Sequence, residues 1–307
     1  MDLGEGMPVR SKWPGAAALA VAVLLWASFA LTIRGIGVSG LTAADAAFLR
    51  FATPVLVLAA GIPRAVRAVR AEPLAVVAAL SLAGLPHFLL SALGGSLTSA
   101  ALVGLLLPGS VPLFVALLPA GRPALGRQRV LALGAIVAGI TATAVLTTSA
   151  AGLGGIAVLL AAGLLWAVYT IALRHTRLDL ISLVLLLCVP SALISVLLGV
   201  TGALPSNLLA GTVPLPTVAL FAALQGIGTG IVSTLSYAYA VRRLGSGIPA
   251  VTGAISPVLT TLLAVPLFHE PITAAVTVAL TLIVGGVLAF NLARSPRATI
   301  RQTAASV

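Results

Sequence analysis

Leu24-Leu25-Trp26-Ala27-Ser28-Phe29 runs on to Arg34, and Leu164-Leu165-Trp166-Ala167-Val168-Tyr169 runs on to Arg174. Trp stands on Trp, Phe on Tyr and Arg on Arg at a constant offset of 140 residues. A looser pair, Ser110-Val111-Pro112 and Ile255-Ser256-Pro257, stands at an offset of 145. The first copy lies inside the apolar run from Ala16 to Ile33, and a similar run extends from Leu178 to Leu198. Crossing the hydrocarbon core as a helix takes about 20 such residues.

Working outward, the whole chain has this character. Of its 307 residues 60% are apolar and 7% charged, and the mean hydropathy is +1.20. Soluble domains hold about 25% charged residues. This chain has too few to coat a water-soluble fold, which excludes a cytosolic enzyme or a secreted domain. Lipid admits only helices and closed barrels, because every backbone polar group must be satisfied internally. Barrel strands alternate apolar and polar residues. The unbroken runs here select helices.

Gly, Pro and Arg clusters divide the chain into ten predicted spans: 16–36, 43–62, 73–93, 98–119, 128–147, 153–173, 180–202, 217–240, 246–268 and 273–293. The net charge of +11 would suggest nucleic acid in a soluble protein, but here it has a topological reading. Fifteen of the 17 basic residues fall on one side of the membrane in this division. The other two, Arg34 and Arg50, lie inside spans. By the positive-inside rule both termini face the cytoplasm. The expected organisation is a tail over 1–15, a five-span unit over 16–147, a second over 153–293, and a tail over 294–307. A lone cysteine, Cys188, permits no internal disulfide.

Five is an odd number, so the second unit enters the membrane from the opposite side. The expected fold is an all-α membrane protein of ten helices built as two inverted five-helix repeats. Inverted repeats of this kind belong to secondary transporters, with the solute held near mid-membrane between the halves. The alternative is a duplication without a transport role.

Three segments carry a resemblance to a known family. They are Phe48-Leu49-Arg50-Phe51, the paired tryptophan segments, and the stretch from Gly226-Ile227-Gly228-Thr229-Gly230 through Tyr237–Gly245 and Pro257 to His269-Glu270-Pro271. Together they resemble the drug/metabolite transporter superfamily, in its ten-helix members with two EamA-type repeats. The family's Gly-Glu after the fourth span is replaced by Gly121-Arg122, and only the second half keeps the acid, as Glu270. The resemblance implies a cytoplasmic-membrane permease for small metabolites, many of them exported. It also implies that span 3 lines a cavity, and it favours Arg50 as a brace.

Ionisable groups inside spans are costly and point to function. Arg50 reads either as a cation for a substrate carboxylate or a gate, or as a brace bonding backbone carbonyls or Asp45. His87 suits proton coupling or a neutral histidine bonded across a helix interface, and Ser91 lies one turn on. Trp26 and Phe29 in span 1, and Trp166 and Tyr169 in span 6, are candidates to wall a cavity. Span 8 adds Gln225, Ser236, Tyr237 and Tyr239, with Gln225, Ser236 and Tyr239 as a helical stripe. Gly226, Gly228 and Gly230 read as packing and hinge. Pro112 and Pro257 are candidate hinges or static kinks.

No Asp or Glu sits mid-span, which favours neutral, zwitterionic or anionic cargo over lipophilic cations. The expectation is therefore an alternating-access exporter of a small polar metabolite in the inner membrane of a bacterium. It needs no cofactor, metal or nucleic acid, works as monomer or homodimer, and has a proton as one candidate coupling ion. A multidrug exporter, a membrane enzyme and a non-transporting sensor are the competing readings.

Overall fold

The computed structural model describes residues 13–121, 126–147, 149–244 and 252–293. Among them there is no strand. Helices α1 (Trp13–Ser39) and α2 (Ala43–Val57) come first; α2 then bends by 70° into α3 (Ile62–Arg70). Helices α4 (Leu74–Ser81) and α5 (Leu85–Leu97) together make one span, followed by α6 (Ala100–Leu117), α7 (Arg127–Leu146), α8 (Ala150–Ala172) and α9 (Leu180–Val200). The next span joins α10 (Leu215–Phe221), a π-helix (Ala222–Val232) and α11 (Ser233–Leu244). The last helices are α12 (Ile255–Phe268) and α13 (Ala274–Leu292).

Eight of these units are long and apolar enough to cross a membrane, and the bent pair α2–α3 makes a ninth. The remaining expected span, the ninth at 246–268, is represented by the apolar α12. With 14 residues α12 is short for a span, and residues 246–251 lie outside the described ones. Among the described residues eight or nine units thus have the length of a span, with one short apolar helix beside them. The expected tails lie almost wholly outside the described residues.

Local chemistry sets the helix starts. Thr42 and Asp45 form a capping box on α2, and Ser99, Ser149, Asp179 and Thr273 each accept a backbone N–H at the start of α6, α8, α9 and α13. A side-chain cap of this kind contributes about 1 kcal/mol. Asp179 also faces Arg64 at 3.1 Å. The Ser182 backbone N–H, with smaller help from Arg64, holds its carboxyl below the usual carboxylate range.

In lipid no hydrophobic drive pulls helices together, so small residues that admit close approach matter more. A Cβ on Gly109 of α6 would run into Ile283 of α13, and one on Gly163 of α8 would run into Ser110 of α6. The packing follows a pattern. The fifth predicted span packs on the tenth (α7 on α13), the second on the seventh (α2 on α9), and the fourth on the ninth (α6 on α12). The sixth packs on the third and fourth (α8 on α5 and α6), as the first does on the eighth and ninth (α1 on α11 and α12). The contacts of the sixth span thus match those of the first under a shift of five, whereas α1 also packs on α5 and α6, and α13 on α6, without a like counterpart.

At one end, Asp45 accepts the Ser206 hydroxyl and the Asn207 backbone N–H, tying the 201–214 connection to the start of α2. Glu270 accepts from Arg34 Nε at 3.0 Å and from the Ala100 backbone N–H at 2.9 Å, joining α1, α6 and the turn after α12.

Candidate functional site

Arg50 is the eighth residue of α2 and is half-buried among the spans. Its Nη1 donates to Gln225 Oε1 at 2.6 Å. Gln225 has no solvent exposure, and its Nε2 donates to the Thr32 hydroxyl. That hydroxyl in turn donates to the Ser28 carbonyl on α1 at 2.7 Å. Rings surround the guanidinium: its carbon lies 4.9 Å from the centroid of Phe29, 5.6 Å from Phe51 and 5.7 Å from Phe88. Such faces attract a cation electrostatically, more strongly where water is excluded. The expected brace through Asp45 or backbone carbonyls is corrected here: Asp45 is occupied by Ser206 and Asn207, and Arg50 bonds a neutral amide.

From Phe29 the cluster continues into the other half of the chain. The Phe29 ring stacks on His87 at 6.3 Å, His87 meets Trp166 at 5.0 Å, and Trp166 meets Tyr169 at 5.1 Å. His87 Nδ1 lies 3.0 Å from the Ala162 carbonyl of α8. A carbonyl can only accept, so Nδ1 carries a proton, and when the ring is neutral Nε2 is an acceptor. The cluster thus draws on α1, α2, α5, α8 and the π-helix. Phe29, His87, Trp166, Tyr169, Arg50 and Gln225 are brought together.

Other candidates fall elsewhere. Ser91 is fully buried and spends its hydroxyl on the His87 carbonyl of its own helix at 2.7 Å. Trp26 pairs with Tyr237 at 5.0 Å in a second cluster with Leu19, Val23 and Ala240. Tyr239 is exposed, with the Arg243 guanidinium 5.2 Å from its ring, and Ser236 is half-buried. The expected Gln225–Ser236–Tyr239 stripe assumed α-helical winding. The π-helix over 222–232 breaks that period, and Thr229 Oγ1 accordingly donates to the Leu224 carbonyl five residues back.

The glycines of this segment let helices close on it. A Cβ at Gly226 would meet Thr53 of α2, and one at Gly228 would come within 2.9 Å of Leu25 Cδ2 on α1. Pro112 lies inside α6, which continues to Leu117. Pro257 is the third residue of α12, in a first turn where proline breaks no hydrogen bond, so it causes no kink there. Glu270 is a tether at a helix start, distant in role from the cluster.

Sequence reasoning missed Thr32, Phe51, Phe88 and Ser191. Thr32 follows Phe29 by three residues on one helix face, which was a usable signal. Ser191 of α9 accepts the Leu85 backbone N–H at 2.9 Å, a cap from a distant helix that no local pattern marks.

Two surface clefts lie away from the cluster. One of about 260 Å³ is bordered by Ser99, Thr143, Thr147, Thr261, Glu270 and Thr273, and one of about 530 Å³ lies between α7 and α13. Among the described residues no group of three or more His, Cys, Asp or Glu is placed to hold a metal ion.

Residues 153–292 match the EamA-like transporter family. A solved crystal structure is similar over 91% of this chain and 97% of its own, with a TM-score of 0.58 and 24% identity. That likeness establishes a shared fold along nearly the whole chain. No curated protein matches the chain.

Proposed function

The second half of the chain is an EamA-like transporter domain of the drug/metabolite transporter superfamily, and from this premise we propose that the protein is a secondary exporter of a small polar metabolite. Its class, a membrane transporter of that superfamily's type, rests on the family match. The observation that carries the finer reading is the cluster running from Gln225 and Arg50 through Phe29 to His87, Trp166 and Tyr169. It collects polar and aromatic groups from both halves of the chain.

The symmetry of packing under a shift of five spans supports two five-span repeats of opposite orientation. Two such units exchange inward-open and outward-open forms at similar energy. The asymmetry of basic residues supports cytoplasmic termini. His87 holds its proton on a carbonyl in this conformation, so proton coupling requires that bond to break during the cycle. Among the described residues the cluster contains no carboxylate, which favours this reading over export of cationic drugs.

The test is flux from proteoliposomes loaded with a panel of radiolabelled amino acids and nucleosides, with and without a pH gradient. Trp166→Ala and His87→Ala are expected to lower efflux at least tenfold while inserting normally. Wild-type rates in both would remove the site.

A further inference from the structure

Arg50 uses one nitrogen for Gln225. Its Nε and Nη2 have no acceptor among the described residues, and neither is sealed from solvent as an orphan. Among the described residues the charge has no acidic partner. Asp45 and Glu270 are taken by Ser206 and Asn207, and by Arg34 and Ala100. A half-buried guanidinium held by rings and one neutral amide is a costly fold element, but it is a ready receptor, with a planar fork matched to two oxygens of a single anion.

We propose, on the footing of the transport reading above, that the cargo is a monocarboxylate whose two oxygens bind the free edge of the Arg50 guanidinium. One cation calls for one negative charge, so a phosphate dianion is a poorer match. Phe29 carries the recognition further. Its ring touches both Arg50 and His87, so a carboxylate on Arg50 places the remainder of a small solute beside His87. With its Nδ1 proton on the Ala162 carbonyl, His87 in its neutral form offers Nε2 as an acceptor, which suits a hydroxyl or ammonium group near the carboxylate. Trp166 and Tyr169 then cover the apolar part. Gln225, fixed between Arg50 and Thr32, sets the direction of the fork and acts as a positioning residue.

The test uses purified full-length protein in detergent, with unfolding followed by tryptophan fluorescence. The probes are acid–amide pairs at equal ionic strength: acetate and acetamide, lactate and lactamide, alanine and alaninamide, with inorganic phosphate beside them. In the wild type at least one acid raises Tm by 2 °C or more over its amide. Arg50→Gln abolishes that difference and unfolds no lower than the wild type without ligand, because it removes an uncompensated charge. Three results overturn the proposal: no pair distinguished, phosphate alone effective, or Arg50→Gln destabilised with the acid–amide difference intact. Loss of flux in Trp166→Ala and His87→Ala without any acid–amide difference would leave the transport reading standing and remove this one.

Discussion

Replacing Glu270 with alanine tests the tether at the end of the bundle. Three interactions go at once. The carboxylate accepts the Ala100 N–H at 2.9 and 3.2 Å. That donor opens α6 and has no partner within its own helix. A hydrogen bond to a charged acceptor contributes about 1.5–3 kcal/mol. A carboxylate at a helix N-terminus adds about 0.3–1 kcal/mol through the helix dipole. The ion pair with Arg34 is discounted, because the arginine side chain is 32% exposed and the glutamate 14%; about 0.5 kcal/mol is reasonable for such a pair. These contributions overlap, so the expected loss is about 2–3 kcal/mol.

For a chain of this size 1 kcal/mol corresponds to roughly 2 °C or slightly more, so Glu270→Ala should unfold about 4–6 °C lower in detergent micelles. Glu270→Gln keeps an acceptor for Ala100 and should lose about half as much. Arg34→Ala should lose the least, since the backbone bonds survive. Tryptophan fluorescence during heating gives all three values. An Arg34→Ala variant as unstable as Glu270→Ala would refute the reasoning, because the ion pair and not the helix start would then dominate. So would a Glu270→Ala variant within 1 °C of wild type.

Ser191→Ala should cost about 1–3 kcal/mol in urea unfolding, because it strands the Leu85 N–H where water cannot reach; Ser191→Thr should recover part of it. Gly109→Ala should destabilise by about 1–3 kcal/mol, since the new methyl meets the stiff, branched Ile283 of α13; the combined Gly109→Ala, Ile283→Val variant should be less affected than the two changes added.

Much of the architecture was legible because burial in lipid writes itself into composition. Apolar runs, glycine breaks and a constant offset between tryptophan segments are one-dimensional signals, and they located most spans to within a few residues. The cluster was legible in part. Arg50, His87, Trp166 and Gln225 stood out because polar or bulky groups in oil are rare. Their partners did not: Thr32 and Phe88 look like ordinary span residues, and Arg50's preference for Gln225 over Asp45 depends on how two distant helices meet. Tyr239 was misassigned for a definite reason, a change of helical winding that apolar sequence does not announce.

That winding has a consequence for comparing relatives. A π-helix uses more residues per turn than an α-helix over the same contour, so the stretch 222–232 holds surplus chain. A related sequence that winds tightly here can keep its amide opposite the arginine, and its following helix in place, only with fewer residues between them. Alignments of this domain should therefore open a short gap just after Gln225, and lengths upstream and downstream should agree once it is admitted.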